Sequence, residues 1–591
     1  LLSLAVSATS CADSEDANHF TYLISKQEDP VYHEAYADNP IMKYMLAKEW
    51  NGAKIGIDFF GMVSGSENEQ FNNMIATGQY YDIMDMTYSN YSAEALYNMG
   101  IALDLTDYVN QYMPNYKQMM EDCPELKKAT YSLVDGEKRI LQIYGFNDAV
   151  RPAFEGFCYR RDWIVKYGVD PSTGAKFEVT SPADANVLKE YSDTVKFPSW
   201  YDETKKAWVL ANVDPKWNGS DPIFISDWEW MLEIFDKAIK AENITGGYGM
   251  SLYYPGFVEA GDLFSAFGGG GPMWYQDNGT AEFGGAGDSM KAYLECMSKW
   301  YENGWIDKKF DEHTSDMFYS IDTVSVHSGK VGLWQGRVAE LANQMEDAAY
   351  PHTKGIVAMG ARQPINDIYG TDACKMKIPY TFYQYTRLDM SIVITDSAKD
   401  KNIPALLTWI DYLYTDEGSN LGKKGFTKEQ VAETNDEFYK RFGLEDGTYY
   451  YDYDEEGNRW IRQTQVSADL GTYVVNAAML NRIVVGLYQS KFYDNGNAGI
   501  RLDAQNLWNY YTNTGFYGDL ENDKMTEDES LTRSKQRSTI STSMSTDIPK
   551  FIKGEYNMTS DWDTYINKMN KFKHKQVTQI YQRVLDMLND F

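Results

Sequence analysis

Short β-rich runs alternate with helical ones along the first part of the chain, and this alternation narrows the fold more than any other feature. Phe20-Thr21-Tyr22-Leu23-Ile24 is rich in β-branched and aromatic residues, and Pro40 to Trp50 then sets Met42, Met45, Leu46 and Trp50 at helical spacing. Ile55 to Phe60 reads as a second strand, Asn68 to Thr77 as a second helix, and Tyr81 to Met86 as a third strand. Ala93 to Met99 is helical with Gly100 as its stop, and Leu103 to Asp107 opens another helix. Strands separated by helices cannot pair as hairpins, so the pattern predicts a parallel sheet with helical crossovers.

The 591 residues are enough for about two to four cores at roughly 100–200 residues per domain. A formal charge of -31 repels phosphate backbones, which argues against nucleic acid as a partner. Six His and five Cys leave little for His-based metal sites or a disulfide scaffold. Cys123, Cys158, Cys296 and Cys374 are widely spaced and read as buried thiols, with a disulfide as the alternative. Aromatic residues reach 15%, more than packing ordinarily needs, and so point to a surface that stacks on something.

Residues Leu1 to Ser10 are small and apolar, then Cys11 precedes the acidic run Ala12 to Asp16. This is similar to the end of a bacterial secretory signal with its lipidated Cys, which implies residues 1–11 as signal and lipobox and an acyl anchor at Cys11 on the outer face of the membrane. No later stretch offers the roughly 20 consecutive apolar residues of a spanning helix.

A set of motifs in fixed order then carries a resemblance. Ala76-Thr77-Gly78-Gln79-Tyr80-Tyr81-Asp82-Ile83 and Asn98 to Thr106 are followed by Tyr159-Arg160-Arg161-Asp162-Trp163. After these come Trp300 to Asp307, Gly329 to Trp334, Leu413 to Gly418, Phe551 to Gly554 and Trp562 to Ile566. Together they resemble the extracellular solute-binding proteins of bacterial ABC importers, in particular the large carbohydrate-type lipoproteins. The resemblance implies an α/β, two-lobe periplasmic-binding-protein-like fold with a hinge and an interlobe cleft. By order along the chain, lobe 1 is placed at 12–156 plus 327–390, and lobe 2 at 157–326 plus 391–591. An added C-terminal elaboration is placed at about 425–561. Within it Tyr449 to Trp460 reads as a β-hairpin around an acidic Gly-Asn turn, and Glu521 to Ser545 as a solvated helix or a loop.

The resemblance implies a protein that binds an oligosaccharide and hands it unchanged to a permease, as a monomer needing no cofactor and no metal. A surface-attached glycosidase or lyase, and a sensor for a membrane kinase, are the alternatives. A glycosidase needs two carboxyl groups facing across a bond. Asp452, Asp454, Glu455 and Glu456 collect at a turn and Asp561 and Asp563 are near neighbours, so neither group meets that need on sequence grounds. The 452–458 turn partly imitates a calcium loop, but Gln463 stands where a bidentate Glu is required. No nucleophile-elbow, zinc, nucleotide or redox motif occurs.

In an open α/β sheet, ligands settle beyond the carboxyl ends of strands, and a sugar wants aromatic plates with planar polar groups. Four places satisfy both conditions. They are Tyr88 with Asn90; Phe146, Asn147 and Arg151 with Tyr159; Tyr253 and Trp274 beside the run Gly268 to Gly271; and Trp334, Gln335 and Arg337. Each has a bland reading as well, core packing for the aromatics and a helix cap near Ser89 or Ser92. The acidic overall field favours an uncharged ligand.

Overall fold

The computed structural model describes residues 17–25, 39–63, 65–149, 153, 155–178, 194–252, 263–277, 279–312, 323–337, 356–379, 387–424, 426, 430, 450–453, 460–463, 484–489, 500–511, 516–517 and 524–589. Cys11, Arg151, Tyr253 and the turn 454–459 lie outside them.

Strands β1 (His19–Ile24), β2 (Gly56–Gly61) and β3 (Ile83–Asp85) form as the alternation predicts, with the helices Pro40–Leu46 and Glu67–Thr77 between them. The helix Ala93–Asn98 is capped at its start by Ser92 Oγ and is followed by Gly100 at φ 77°, a left-handed conformation that glycine adopts without strain. A hairpin, β4 (Tyr131–Val134) with β5 (Glu137–Ile140), precedes β6 (Ile143–Asn147). The chain then crosses to β7 (Glu155–Arg160), and β8 (Tyr248–Met250), the pair β9 (Trp274–Asp277) and β10 (Thr280–Phe283), β11 (Val331–Arg337) and β12 (Ala358–Ala361) follow. It returns at β13 (Leu388–Ile394), runs through the hairpin β14 (Tyr450–Tyr453) and β15 (Trp460–Gln463), and reaches β16 (Leu487–Tyr488). It leaves again through the helix Ile500–Trp508 and β17 (Phe516–Tyr517) to three C-terminal helices, Glu527–Ile552, Trp562–Lys571 and His574–Asn589.

Two main sheets result. The first has the order β16-β6-β13-β3-β1-β2, with every strand parallel except β13. Successive residues of its strands feed two separate cores. Phe20, Tyr22, Ile24, Ile83, Ile392 and Ile394 point to one face, and Leu23, Met84 and Val393 to the other. A sheet covered on both faces needs this near-continuous apolar run, which explains why its strands carry so few polar residues. The second sheet is β12-β7-β11-β8, in which β7 runs against both neighbours. Its core takes in the helices Ile225–Ala241 and Asp288–Glu302 and, from far along the chain, Ile540, Met544 and Ile548 of the helix Glu527–Ile552. The segment 521–545 thus supplies a packed helix from Glu527 onward, with one apolar face buried.

The lobe boundaries differ from the expectation. Order along the chain places 327–390 in lobe 1, yet β11 and β12 pair with β7 and so belong to the second sheet. Likewise 391–489 was assigned to lobe 2, yet β13 lies between β6 and β3, and the helix Ile403–Tyr412 packs in the first sheet's core. Order along the chain does not report which sheet a strand joins, whereas hydrogen-bond register does.

Asp227 shows how the second lobe holds a helix start. Its buried carboxylate accepts from the amides of Ile223, Phe224 and Ser199 and from Ser199 Oγ, at 2.7–3.1 Å. Burial pushes this carboxyl above its usual range, and the four donors oppose the shift. Asp227→Ala strands all four donors, so urea denaturation is expected to show a loss of about 3 kcal/mol or more, at about 1–3 kcal/mol per buried unsatisfied group.

Candidate functional site

Strand direction decides where a site can form. In the first sheet the carboxyl ends of β1, β2, β3, β6 and β16 and the amino end of β13 share one edge. In the second, the carboxyl ends of β8, β11 and β12 and the amino end of β7 share one edge. The chain passes between these two edges at 148–154, between 362 and 387, and between 489 and 500. The three lobe-1 ends of these passages, β16, β6 and β13, are adjacent strands. Three neighbouring connections at one side of two facing edges make a hinge with a crevice beyond it.

Arg387 binds the hinge root together. Its backbone carbonyl accepts from the Asn147 amide at 2.7 Å and from Asn147 Nδ2 at 3.0 Å. Its guanidinium returns two bonds, Nε to the Asn147 carbonyl at 3.1 Å and Nη2 to the Asp148 carbonyl at 2.6 Å, and lies 4.6 Å from the Phe146 ring centre. On the other side the Asp148 amide donates to the Tyr488 carbonyl at 3.1 Å. All three crossings are therefore tied where they leave lobe 1.

On lobe 2 the helix Ile500–Trp508 lies directly on β7 and β12. A Cβ on Gly156 would meet the Trp508 indole at 2.4 Å and one on Gly360 would meet Ala504 at 2.5 Å, so the two glycines permit the contact. Trp508 Nε1 donates to the Phe157 carbonyl at 3.0 Å, and the crossing residue Ala153 is held by Asn509 and Gln505. A contact away from the hinge comes from Lys524, which is 3% exposed. Its ammonium donates to the carbonyls of Ala129 and Tyr131 in lobe 1 at 2.9 and 2.6 Å, while the helix that follows packs in lobe 2.

The predicted residues divide clearly. On the lobe-1 edge, Tyr88 is half-buried and Asn90 exposed, beside Asn68, whose Nδ2 donates to the Tyr88 carbonyl at 2.9 Å. Beneath them Asp85 is fully buried and accepts from Ser25 and Thr87. Burial pushes its carboxyl upward while these donors oppose the shift. Asn147 is buried within the hinge root and Phe146 lies under Arg387. On the lobe-2 edge, Gln335 and Arg337 sit at the end of β11, opposite Phe157 and Glu155.

The large aromatics are packed inside protein. Tyr159 is 0% exposed, its hydroxyl accepts from Arg161 Nη1 at 2.9 Å, and desolvation raises its phenol to about 12. Trp274 packs on Phe283 and Tyr581 and donates to Thr578 Oγ1 at 3.1 Å. Trp334 is 2% exposed and sits with Cys158 and Trp508. The glycine run serves the same purpose: a Cβ on Gly269 would strike Phe264, and one on Gly270 the Tyr275 ring. Cys123, Cys158, Cys296 and Cys374 are all buried thiols. Asp561 accepts from the Asn557 amide at 2.7 Å and stands at the start of the helix Trp562–Lys571, a structural task.

Sequence reasoning missed Glu155, Arg387 and Lys524. Glu155 left a signal, a lone acid opening the apolar strand Glu155-Gly156-Phe157-Cys158-Tyr159. Arg387 and Lys524 left none, since their partners are hundreds of residues away. Among the described residues no group of three or more acidic, His or Cys side chains is arranged to hold a metal ion, and no helix is long and apolar enough to cross a membrane.

No protein-family model and no curated relative matches the chain. Solved structures do. An extracellular solute-binding protein from Bifidobacterium longum subsp. infantis is 14% identical with a TM-score of 0.63, covering 98% of this chain and 100% of that one. An HMO-binding, ABC-transporter-associated solute-binding protein from Bifidobacterium longum infantis is 15% identical with a TM-score of 0.61, covering 97% and 99%. The Streptococcus pneumoniae ABC-transporter substrate-binding protein FusA, solved with kestose, is 16% identical with a TM-score of 0.56, again covering 97% and 99%.

Removing the Arg387 guanidinium is expected to loosen the hinge root. In Arg387→Met, the amides of Phe146, Asn147 and Asp148 should exchange hydrogen about tenfold faster, which corresponds to about 1.4 kcal/mol of local opening. Arg387→Lys should restore little, because an ammonium lacks the planar fork that reaches two carbonyls at once. Unchanged exchange in Arg387→Met would show that the backbone pairing alone holds the root. Along essentially its whole length, then, the chain has the two-lobe α/β fold of the extracellular solute-binding proteins.

Proposed function

We propose that the chain captures an oligosaccharide in the crevice between its lobes and passes it, chemically unchanged, to an ABC permease. The observation that carries this reading is the hinge: two sheets joined by three crossings that leave the first from adjacent strands. A ligand touching both edges stabilises the closed arrangement over the open one, and by no more than its differential affinity for the two. The fold neighbours support the choice of ligand, since one is described as HMO-binding and another was solved with kestose.

Tyr88 and Asn90 from lobe 1 and Gln335 and Arg337 from lobe 2 are the proposed contacts, while the Asn147 amide is kept by the Arg387 carbonyl in the hinge root. Arg151 and Tyr253, which follow β6 and β8 in sequence, complete the set. Phe146, Tyr159, Trp274 and Trp334 are assigned to packing, because each already spends its surface on other side chains. In this reading the protein acts as a monomer, anchored outside the cell through lipidated Cys11. It is a carrier and not an enzyme.

The test is a thermal-shift screen of neutral oligosaccharides followed by calorimetry and assay for new reducing ends. A cognate sugar at a hundredfold its Kd should stabilise the protein by about 2.7 kcal/mol, through binding to the native state alone. It should shrink the radius of gyration in solution scattering and be recovered intact. Release of shorter sugars would defeat the reading, and so would a complete panel with no binder. Tyr88→Ala should weaken the cognate sugar about tenfold and leave the melting temperature of the free protein nearly unchanged, as a stacking side chain at a half-buried site would.

A further inference from the structure

The lobe-2 edge holds two polar side chains away from water. Glu155 is 0% exposed and Gln335 is 1% exposed. Gln335 Nε2 donates to Glu155 Oε1 at 3.4 Å, and because a carboxylate only accepts, this bond fixes which way the amide faces. The Gln335 Oε1 is consequently turned elsewhere, is buried, and meets no donor. Gln363, 6% exposed, also leaves its Oε1 without a donor. The β12–β7 pairing ends with Ala361 opposite Phe157, so Gln363 follows the last pair by two residues on one strand and Glu155 precedes it by two on the other. Two buried amide oxygens of this lobe, those of Gln335 and Gln363, thus lack a donor. An acceptor buried in this state is costly until something donates to it.

Two described arginines bear on the charge balance here. Arg337 stands opposite Glu155 on the adjoining strand, so the pair is neutral at that level. Across the hinge root, the Arg387 guanidinium is given to the Asn147 and Asp148 carbonyls.

We propose that Gln335, supported by Glu155 and Gln363, selects an uncharged sugar unit that donates a hydroxyl to the Gln335 Oε1, and that it rejects a uronate at this position. A carboxylate brings no proton to an acceptor and adds negative charge beside Glu155. A site built to hydrogen-bond a hydroxyl discriminates strongly against a ligand lacking it, because the buried group is then left unpaired. The inference rests on the oligosaccharide reading above and adds the class of sugar.

The test titrates the full chain calorimetrically with xylo-, manno- and fructo-oligosaccharides and with oligogalacturonates of matching length. At least one neutral series should bind, and the oligogalacturonates should bind about a hundredfold more weakly or not at all. Gln335→Leu should cost about tenfold in affinity for the neutral sugar while its melting temperature holds or rises, since it removes an unsatisfied group. The isosteric Glu155→Gln, which adds a donor and removes the charge, should narrow the gap between neutral and acidic sugars. Oligogalacturonates bound as tightly as neutral sugars would overturn the selection and leave the carrier reading intact. Gln335→Leu with unchanged affinity would overturn it too, showing that the acceptor is served by a buried water. Failure of every sugar to bind would remove the carrier reading and this inference with it.

Discussion

The rest of the structure depends on the hydrogen bonding of β16, β6 and β13 as neighbours in one sheet. Because these three strands end side by side, the chain can pass between lobes three times without the passages crossing or spreading apart. Spread across the sheet, the same connections would brace the lobes as a rigid frame. Gathered at one side, they confine relative motion to rotation about a single line. Arg387 turns that adjacency into a clamp, joining residues 240 positions apart through both its backbone and its side chain. The crevice is therefore a consequence of strand order before it is a consequence of any particular side chain.

A hinge of this kind makes binding economical in one respect and expensive in another. Few backbone torsions change, so little conformational entropy is lost on closure. Each buried polar group on a closing edge, however, must find a partner in the closed form. In lobe 1 Asp85 has such partners, accepting from Ser25 and Thr87. In lobe 2 the buried Gln335 Oε1 meets no donor. Lys524 adds a third kind of link, a buried cation held by lobe-1 carbonyls, which couples the C-terminal helices to the lobe they do not belong to.

Much of the fold was legible in the sequence, for physical reasons. The alternation of β1 to β3 with helices is encoded locally by spacing and by caps such as Ser92 and Gly100, and the hairpin β14–β15 follows from two alternating strands around a turn. Membership of a sheet is not local. Nothing in Val331-Gly332-Leu333-Trp334 says that it pairs with β7, and the residues after Met390 gave no sign that they return to the first lobe. The site was legible in outline only. Strand ends can be read, so Asn90 after β3, Asn147 closing β6 and Gln335 near the end of β11 were legible as candidates. Tyr159 and Trp334 were not separable from ligand-facing aromatics, since burial depends on what packs from elsewhere, here Arg161 and Trp508. The glycine run misled in the same way: absence of side chains made room for the chain's own rings.

The position of β13 has a consequence for how the molecule is made. It lies between β3 and β6, so while the nascent polypeptide extends through the second lobe, the first sheet has a gap at its centre. The second core is in turn incomplete until Met544 and Ile548 have emerged. Each half therefore waits for a segment made after part of the other: the first for β13, the second for the helix Glu527–Ile552.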